Sequence, residues 1–177
     1  MHKICFTIVL LLLTSLSALA QETPKAELFG GYAYAGEGSH GFAASITGNV
    51  NSYLGLVAEI GGQYSHLEED GIRESISAPS VLFGPRFSLR RNKRLTPFAH
   101  TLFGASHIRS EANELGQTFI FSDTSFAMAI GGGLDVRVSD NIAIRVIQVD
   151  YLRTHHFNET QNKGRIVAGV VFRFGKK

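Results

Sequence analysis

Eight charged side chains carry the clearest chemical signal in the 177-residue chain: Glu59, Arg86, Asp135, Arg137, Arg145, Asp150, Arg165 and Arg173. They fall in segments where residue character alternates with a period of two, the mark of a strand with two unlike faces. Glu59, Arg86, Asp135, Arg137, Arg165 and Arg173 share faces rich in Gly, Ser and Ala, opposite faces of Phe, Leu, Ile, Val and Ala. Such a set could line a narrow ion path, or it could pair internally and fill an interior. An ionised group out of water costs several kcal/mol unless it is paired, so pairing is expected in both cases. The salt-bridged plug is preferred, because an eight-stranded cylinder is only wide enough for side chains.

The elements that must position these charges are eight strands, expected at about 26–34, 42–49, 56–65, 76–89, 96–107, 126–137, 142–154 and 165–174. In the last, Ile166, Ala168, Val170, Phe172 and Phe174 oppose Arg165, Val167, Gly169, Val171 and Arg173. In the first, Leu28, Tyr32 and Tyr34 face away from Glu27 and Phe29. The seventh needs an irregularity, since Gln148 and Asp150 share a face that Arg145 does not. A β-bulge between Arg145 and Gln148 brings all three to one side, whereas a regular strand would send Arg145 into apolar surroundings. Connections alternate in kind. Asn49–Tyr53, Arg90–Leu95 and Ser139–Asn141 read as tight turns with Asn, Asp or Ser. Ala35–His40, Glu68–Glu74, Arg109–Thr124 and His155–Lys163 read as longer polar loops at the other end.

Composition agrees. The chain is 44% apolar and 18% charged, with 19 glycines, 4 prolines and no tryptophan, which favours strands in a single domain. The net charge of +2, from 17 basic and 15 acidic residues, sets up no broad field for nucleic acid. Residues 1–20 read as a cleaved secretory signal: Lys3, then an apolar run from Ile4 to Leu13, then Ala18-Leu19-Ala20 before the cut. The run is shorter than the ~20 residues of a spanning helix. Cys5 leaves with it, so the domain at 21–177 contains no cysteine and relies on its core, sheet closure or a membrane.

Apolar faces opposite faces of Gly and charge fit a barrel with lipid outside and polar side chains within. Membrane strands need ~9–11 residues, so eight of them fit the domain and sixteen do not. The expected fold is an all-β, eight-stranded antiparallel up-and-down transmembrane β-barrel. From Glu27 to Phe174 the sequence resembles the small OmpA-type outer-membrane β-barrel domains of Gram-negative bacteria. The resemblance rests on Glu27-Leu28-Phe29-Gly30-Gly31-Tyr32, Phe83-Gly84-Pro85-Arg86, Pro97-Phe98-Ala99-His100 and Gly131-Gly132-Gly133-Leu134-Asp135. It implies outer-membrane residence, contact with outer-membrane lipids and lipopolysaccharide, and insertion by the outer-membrane assembly machinery. Gly169, Phe172 and Phe174 match the assembly signal of the last strand, while Val167 stands where that signal has a polar residue, and Gly175-Lys176-Lys177 follow the final Phe. Tyr32, Tyr34, Tyr64, Tyr151, Phe87 and Phe174 are candidates for aromatic girdles.

Other constellations are weaker. Of seven histidines, adjacent His155 and His156 point apart in extended chain and lack a third ligand at fixed spacing, so no metal or cofactor is expected. His100 and His107 take opposite faces, with His100 toward the interior as a hydrogen-bonding group. Some barrels of this size are lipid A deacylases with a His-x-Ser pair, which is absent here, as is Gly-x-Ser-x-Gly. No enzyme is expected. The Arg90-Arg91-Asn92-Lys93-Arg94 cluster falls at a tight turn, where lipid headgroups or solvent are its expected contacts rather than nucleic acid. Glu68, Glu69, Asp70 and Glu74 are expected to be solvated in an outer loop, or bridged by a divalent cation to lipopolysaccharide. The function expected is a structural or surface-interaction role displaying four extracellular loops. The alternatives are a narrow pore for ions or very small solutes, and a soluble periplasmic lipocalin-like barrel with an apolar ligand inside.

Overall fold

A computed structural model describes residues 23–36, 38–69, 72–114, 117–156 and 159–176. The signal segment at 1–20 lies outside the described residues. Eight strands follow one another: β1 (Pro24–Tyr34), β2 (His40–Asn49), β3 (Leu54–Glu69), β4 (Ile72–Ser88), β5 (Leu95–Glu114), β6 (Gln117–Arg137), β7 (Ile142–His156) and β8 (Glu159–Lys176). Each pairs antiparallel with the next, and β1 closes on β8 through pairs running from Pro24–Lys176 to Tyr34–Ile166. A closed ring has no unpaired edge, which hydrocarbon demands of a backbone.

Alternation sorts the side chains as the sequence requires. Ile46, Val81 and Phe126 are about three-fifths exposed on the outside, at 60%, 63% and 61%. Tyr32, Tyr34, Tyr64, Tyr151, Phe87 and Phe174 also face outward. The inward residues form two small apolar clusters, one around Phe29, Val167 and Val171, the other around Val57, Leu82 and Leu102. The apolar faces therefore point away from the axis. That corrects the lipocalin-like alternative, which needed them to point inward.

The tight-turn end follows its side-chain chemistry. Asn51 Oδ1 accepts hydrogen bonds from the backbone N–H groups of Tyr53 and Leu54, both at 2.8 Å. Asn92 Oδ1 accepts from the Arg94 N–H at 2.8 Å, and Ser139 Oγ from the Ile142 N–H at 3.1 Å. These short polar side chains stand in for backbone acceptors and hold the chain in a turn.

The opposite end differs from expectation. Much of what reads as loop at Glu68–Glu74, Arg109–Thr124 and His155–Lys163 is strand, and the β5–β6 ladder runs on to Glu114–Gln117. β5 and β6 have 20 and 21 residues, about 10 more than a membrane strand needs. Beyond the hydrocarbon both faces of a hairpin meet polar surroundings, so period-two hydrophobicity stops while backbone pairing continues.

The bulge expected in β7 is present. Its ladder with β8 shifts between Arg145 and Gln148, and its ladder with β6 shifts between Leu134 and Asp135. Val146 and Ile147 are consecutive outward residues, and Arg145 and Gln148 both turn inward.

Candidate functional site

The site is the polar interior of the barrel, and every strand contributes to it. Lumen-facing Gly131 and Gly133 of β6 make the room. A Cβ on Gly131 would lie 2.1 Å from Asp150 Oδ1, and one on Gly133 would lie 2.8 Å from the Phe98 ring. Small residues therefore stand where larger groups cross the axis.

Near the tight-turn end, Asp135 accepts from Arg86 Nη2 at 2.7 Å and from Arg145 at 2.8 Å (Nε) and 3.3 Å (Nη2). Glu27 faces three cations: Arg90 at 3.1 Å, Arg86 at 3.4 Å and Arg173 at 3.8 Å. Arg90 also donates to Asn49 Oδ1 and to the Ser52 carbonyl, and Arg173 to Thr96 Oγ1. The Arg145 guanidinium lies between two rings, 4.0 Å from the centre of Phe29 and 4.4 Å from that of Phe98. Arg86 sits 3.9 Å over Phe98. Cation–π attraction strengthens once the guanidinium is desolvated.

Gln148 links this group to a second one further along the axis. It accepts from Arg145 Nη1 at 2.7 Å and donates to Asp150 Oδ2 at 2.8 Å. Asp150 also accepts from His100 Nε2 at 2.9 Å and from Arg165 at 2.7 and 3.0 Å. Arg165 reaches across to Glu59 at 2.5 Å. Charge-assisted contacts this short are the strong class of hydrogen bond. Four carboxylates, Glu27, Glu59, Asp135 and Asp150, meet five guanidinium groups, Arg86, Arg90, Arg145, Arg165 and Arg173.

Of the eight charges singled out in the sequence, Glu59, Arg86, Asp135, Arg145, Asp150, Arg165 and Arg173 come together in this network. Arg137 does not. It ends β6 at the rim, where its guanidinium bonds Asp140 in the following turn. At the mouth it reaches a solvated partner without the desolvation that a place inside would impose.

Sequence reasoning missed Glu27 and Arg90 as network members. Glu27 shares its strand face with buried Phe29, which was signal enough. Arg90 was expected to contact headgroups or solvent, and it is instead buried, because β4 ends at Ser88 and lets the side chain fold back over the lumen onto Glu27.

His100 faces the lumen as expected. His107 bonds Thr124 Oγ1 on the outside, and His155 bonds Thr160 Oγ1. The Glu68–Glu74 side chains lie outside the described residues. Among the assembly-signal residues, Phe172 and Phe174 face outward and Gly169 pairs with Gly31 of β1. Among the described residues no three metal-binding side chains gather.

The arrangement holds charge in place. Each carboxylate of the network faces a guanidinium group, and Asp150 an imidazole as well; Glu27 Oε2 lies 3.4 Å from Arg86 without a hydrogen bond.

Solved structures with this architecture include the attachment invasion locus protein Ail of Yersinia pestis. It is 23% identical with a TM-score of 0.64, over 86% of this chain and 100% of that one. Neisserial surface protein A is 14% identical with a TM-score of 0.59, over 84% and 96% of the two chains. The N-terminal β-barrel domain of Pseudomonas aeruginosa OprF is 12% identical with a TM-score of 0.53, over 87% and 100%. At these identities the likeness is one of fold. No curated protein matches the sequence. The family model for the outer membrane protein β-barrel domain matches residues 6–174, almost the whole chain. The chain belongs to the outer-membrane protein β-barrel domain family, and its place is the outer membrane.

Proposed function

We propose that this barrel is a non-conducting, non-catalytic outer-membrane protein that acts at the cell surface through the end remote from its termini. The observation that carries this reading is the lumen network, in which all eight strands or their side chains are tied across the axis. Conduction requires sites that an ion can enter and leave. Here the fixed charges hold one another at 2.5–2.8 Å in their shortest contacts. The surface role draws support from Ail, described as an attachment invasion locus protein, and from the long β5–β6 hairpin. Ail was also crystallised with the heparin analogue sucrose octasulfate and studied in a phospholipid nanodisc, which makes lipid and polysaccharide the first partners to try.

In this reading four loops, joining β1–β2, β3–β4, β5–β6 and β7–β8, face outward from the cell. The signal is cut after Ala20, and Gly169, Phe172 and Phe174 address the chain to the assembly machinery. Planar-bilayer recording tests the plug. The purified protein should give no reproducible single-channel steps, while the double substitution Arg145→Gly with Gln148→Gly, which removes the link between the two charge groups, should produce them. Steps from the unaltered protein that change with Glu59→Gln or Arg86→Gln would establish the narrow pore instead.

A further inference from the structure

Above the plug the lumen widens into a cavity of about 530 Å³ that opens at the end remote from the termini. That volume lies within the range of small-molecule sites, roughly 300–1,000 Å³. We propose that it binds a small amphiphile with an apolar body and one anionic group, a medium-chain carboxylate being the simplest member of the class.

The walls select the body. Ile76, Ile108 and Leu152 line them, and Leu82 lies toward the base. Apolar surface here does not face lipid. It encloses space reached from water, so an apolar ligand that displaces the water gains roughly 25 cal/mol for each Å² covered. Ser80, Ser106 and Thr154 add hydroxyl groups to the lining. They can turn toward a ligand's polar end without bringing in a charge.

Two features select the anion. The base is Arg165, already committed to Glu59 and Asp150. Among the described residues no carboxylate lines the cavity, and Lys163 does. Lys163 lies opposite Leu152 in the β7–β8 ladder and forms no ion pair among the described residues. The plug beneath holds five guanidinium groups against four carboxylates, one cation in excess. Asp123 pairs with Ile108 in the β5–β6 ladder and has partners of its own, whereas the charged side chains among the described lining residues are Lys163 and Arg165, both cations.

Octanoate is the probe, titrated calorimetrically into the full barrel in phospholipid nanodiscs, with empty discs as the baseline. Saturable uptake above baseline is expected. Lys163→Gln should weaken it about tenfold, as loss of one charge-assisted contact does, and Lys163→Arg should restore it. Ser80→Phe should abolish it by filling the cavity, with heat-dependent gel mobility verifying that this variant still closes. 1-Octanol should bind more weakly than octanoate. Uptake no greater than that of empty discs would overturn the proposal. So would uptake indifferent to Lys163→Gln, a substitution at an exposed position that does not threaten folding.

Discussion

Asp135 shows what a single residue does in this lumen. It sits 1% exposed and receives two guanidinium groups, Arg86 and Arg145. Neutralising it leaves both cations buried with one anion fewer. Removing one partner of a buried ion pair costs about 3–5 kcal/mol, because the remaining charge keeps its desolvation penalty. Asp135→Asn should lower the unfolding free energy by that amount, read from urea unfolding in detergent with the folded fraction followed by unheated gel mobility. A loss below about 1 kcal/mol would mean that water already relieves the site. The sequence shows that Asp135 points inward, since its face holds Gly131 and Gly133. Its two partners are not legible there, because they stand 49 and 10 residues away on β4 and β7. Glu27 was legible by the same alternation that places Phe29 inside. Arg90 was not, because nothing in a basic turn marks which of its cations folds back.

At the scale of the element, β7 sets its faces by a bulge. One extra residue lets Val146 and Ile147 both face lipid while Arg145 and Gln148 both face the lumen. Deleting Val146 and Ile147 together makes Arg145 and Gln148 neighbours and forces a choice. Either Arg145 turns outward, or Gln148 and Asp150 do. An Arg on the lipid face costs about 2–4 kcal/mol at the bilayer midplane, and the abandoned Asp135 adds to it. The double deletion should fail to reach the folded, heat-shifted band in unheated gels, whereas deletion of Val146 alone, which leaves Arg145, Gln148 and Asp150 inward in a regular ladder, should leave most protein folded. Equal folding of the two variants would show that β7 tolerates either parity. The bulge was readable in advance because charge and amide at positions 145, 148 and 150 cannot share a face otherwise. The upper parts of β3 to β6 were not readable, since the alternation that marks a strand disappears where both faces are polar.

For the whole molecule, closure and length separate two jobs. The lower part is a closed cylinder whose charged side chains pair across the lumen, and the upper part of β5–β6 extends past what a membrane requires. Its pairs above Ile108–Asp123 are outside the hydrocarbon, so the barrel should close without them. Replacing residues 109–122 with a two-residue Asn-Gly turn, which suits the twist of a hairpin, should leave outer-membrane recovery and heat-dependent mobility intact. Under the proposed surface role, binding of the nanodisc-held barrel to a sulfated polysaccharide should fall to the level of empty discs. Undiminished binding would take this hairpin out of the binding surface.

The sequence by itself determined the number of strands, the side each residue faces, the bulge and the turn residues. All of these follow from the pleat, which repeats every two residues and is local to each strand. Tertiary structure alone decided which charges meet. Arg165 and Glu59 stand 106 residues apart and become partners because closing β8 onto β1 sets the two facing each other across the lumen. Closure and register also decided that Arg90 joins the plug, that Arg137 stays at the rim and that a cavity remains above. A pairing depends on how far each strand slides against its neighbours, and period-two alternation is unchanged by a slide of two.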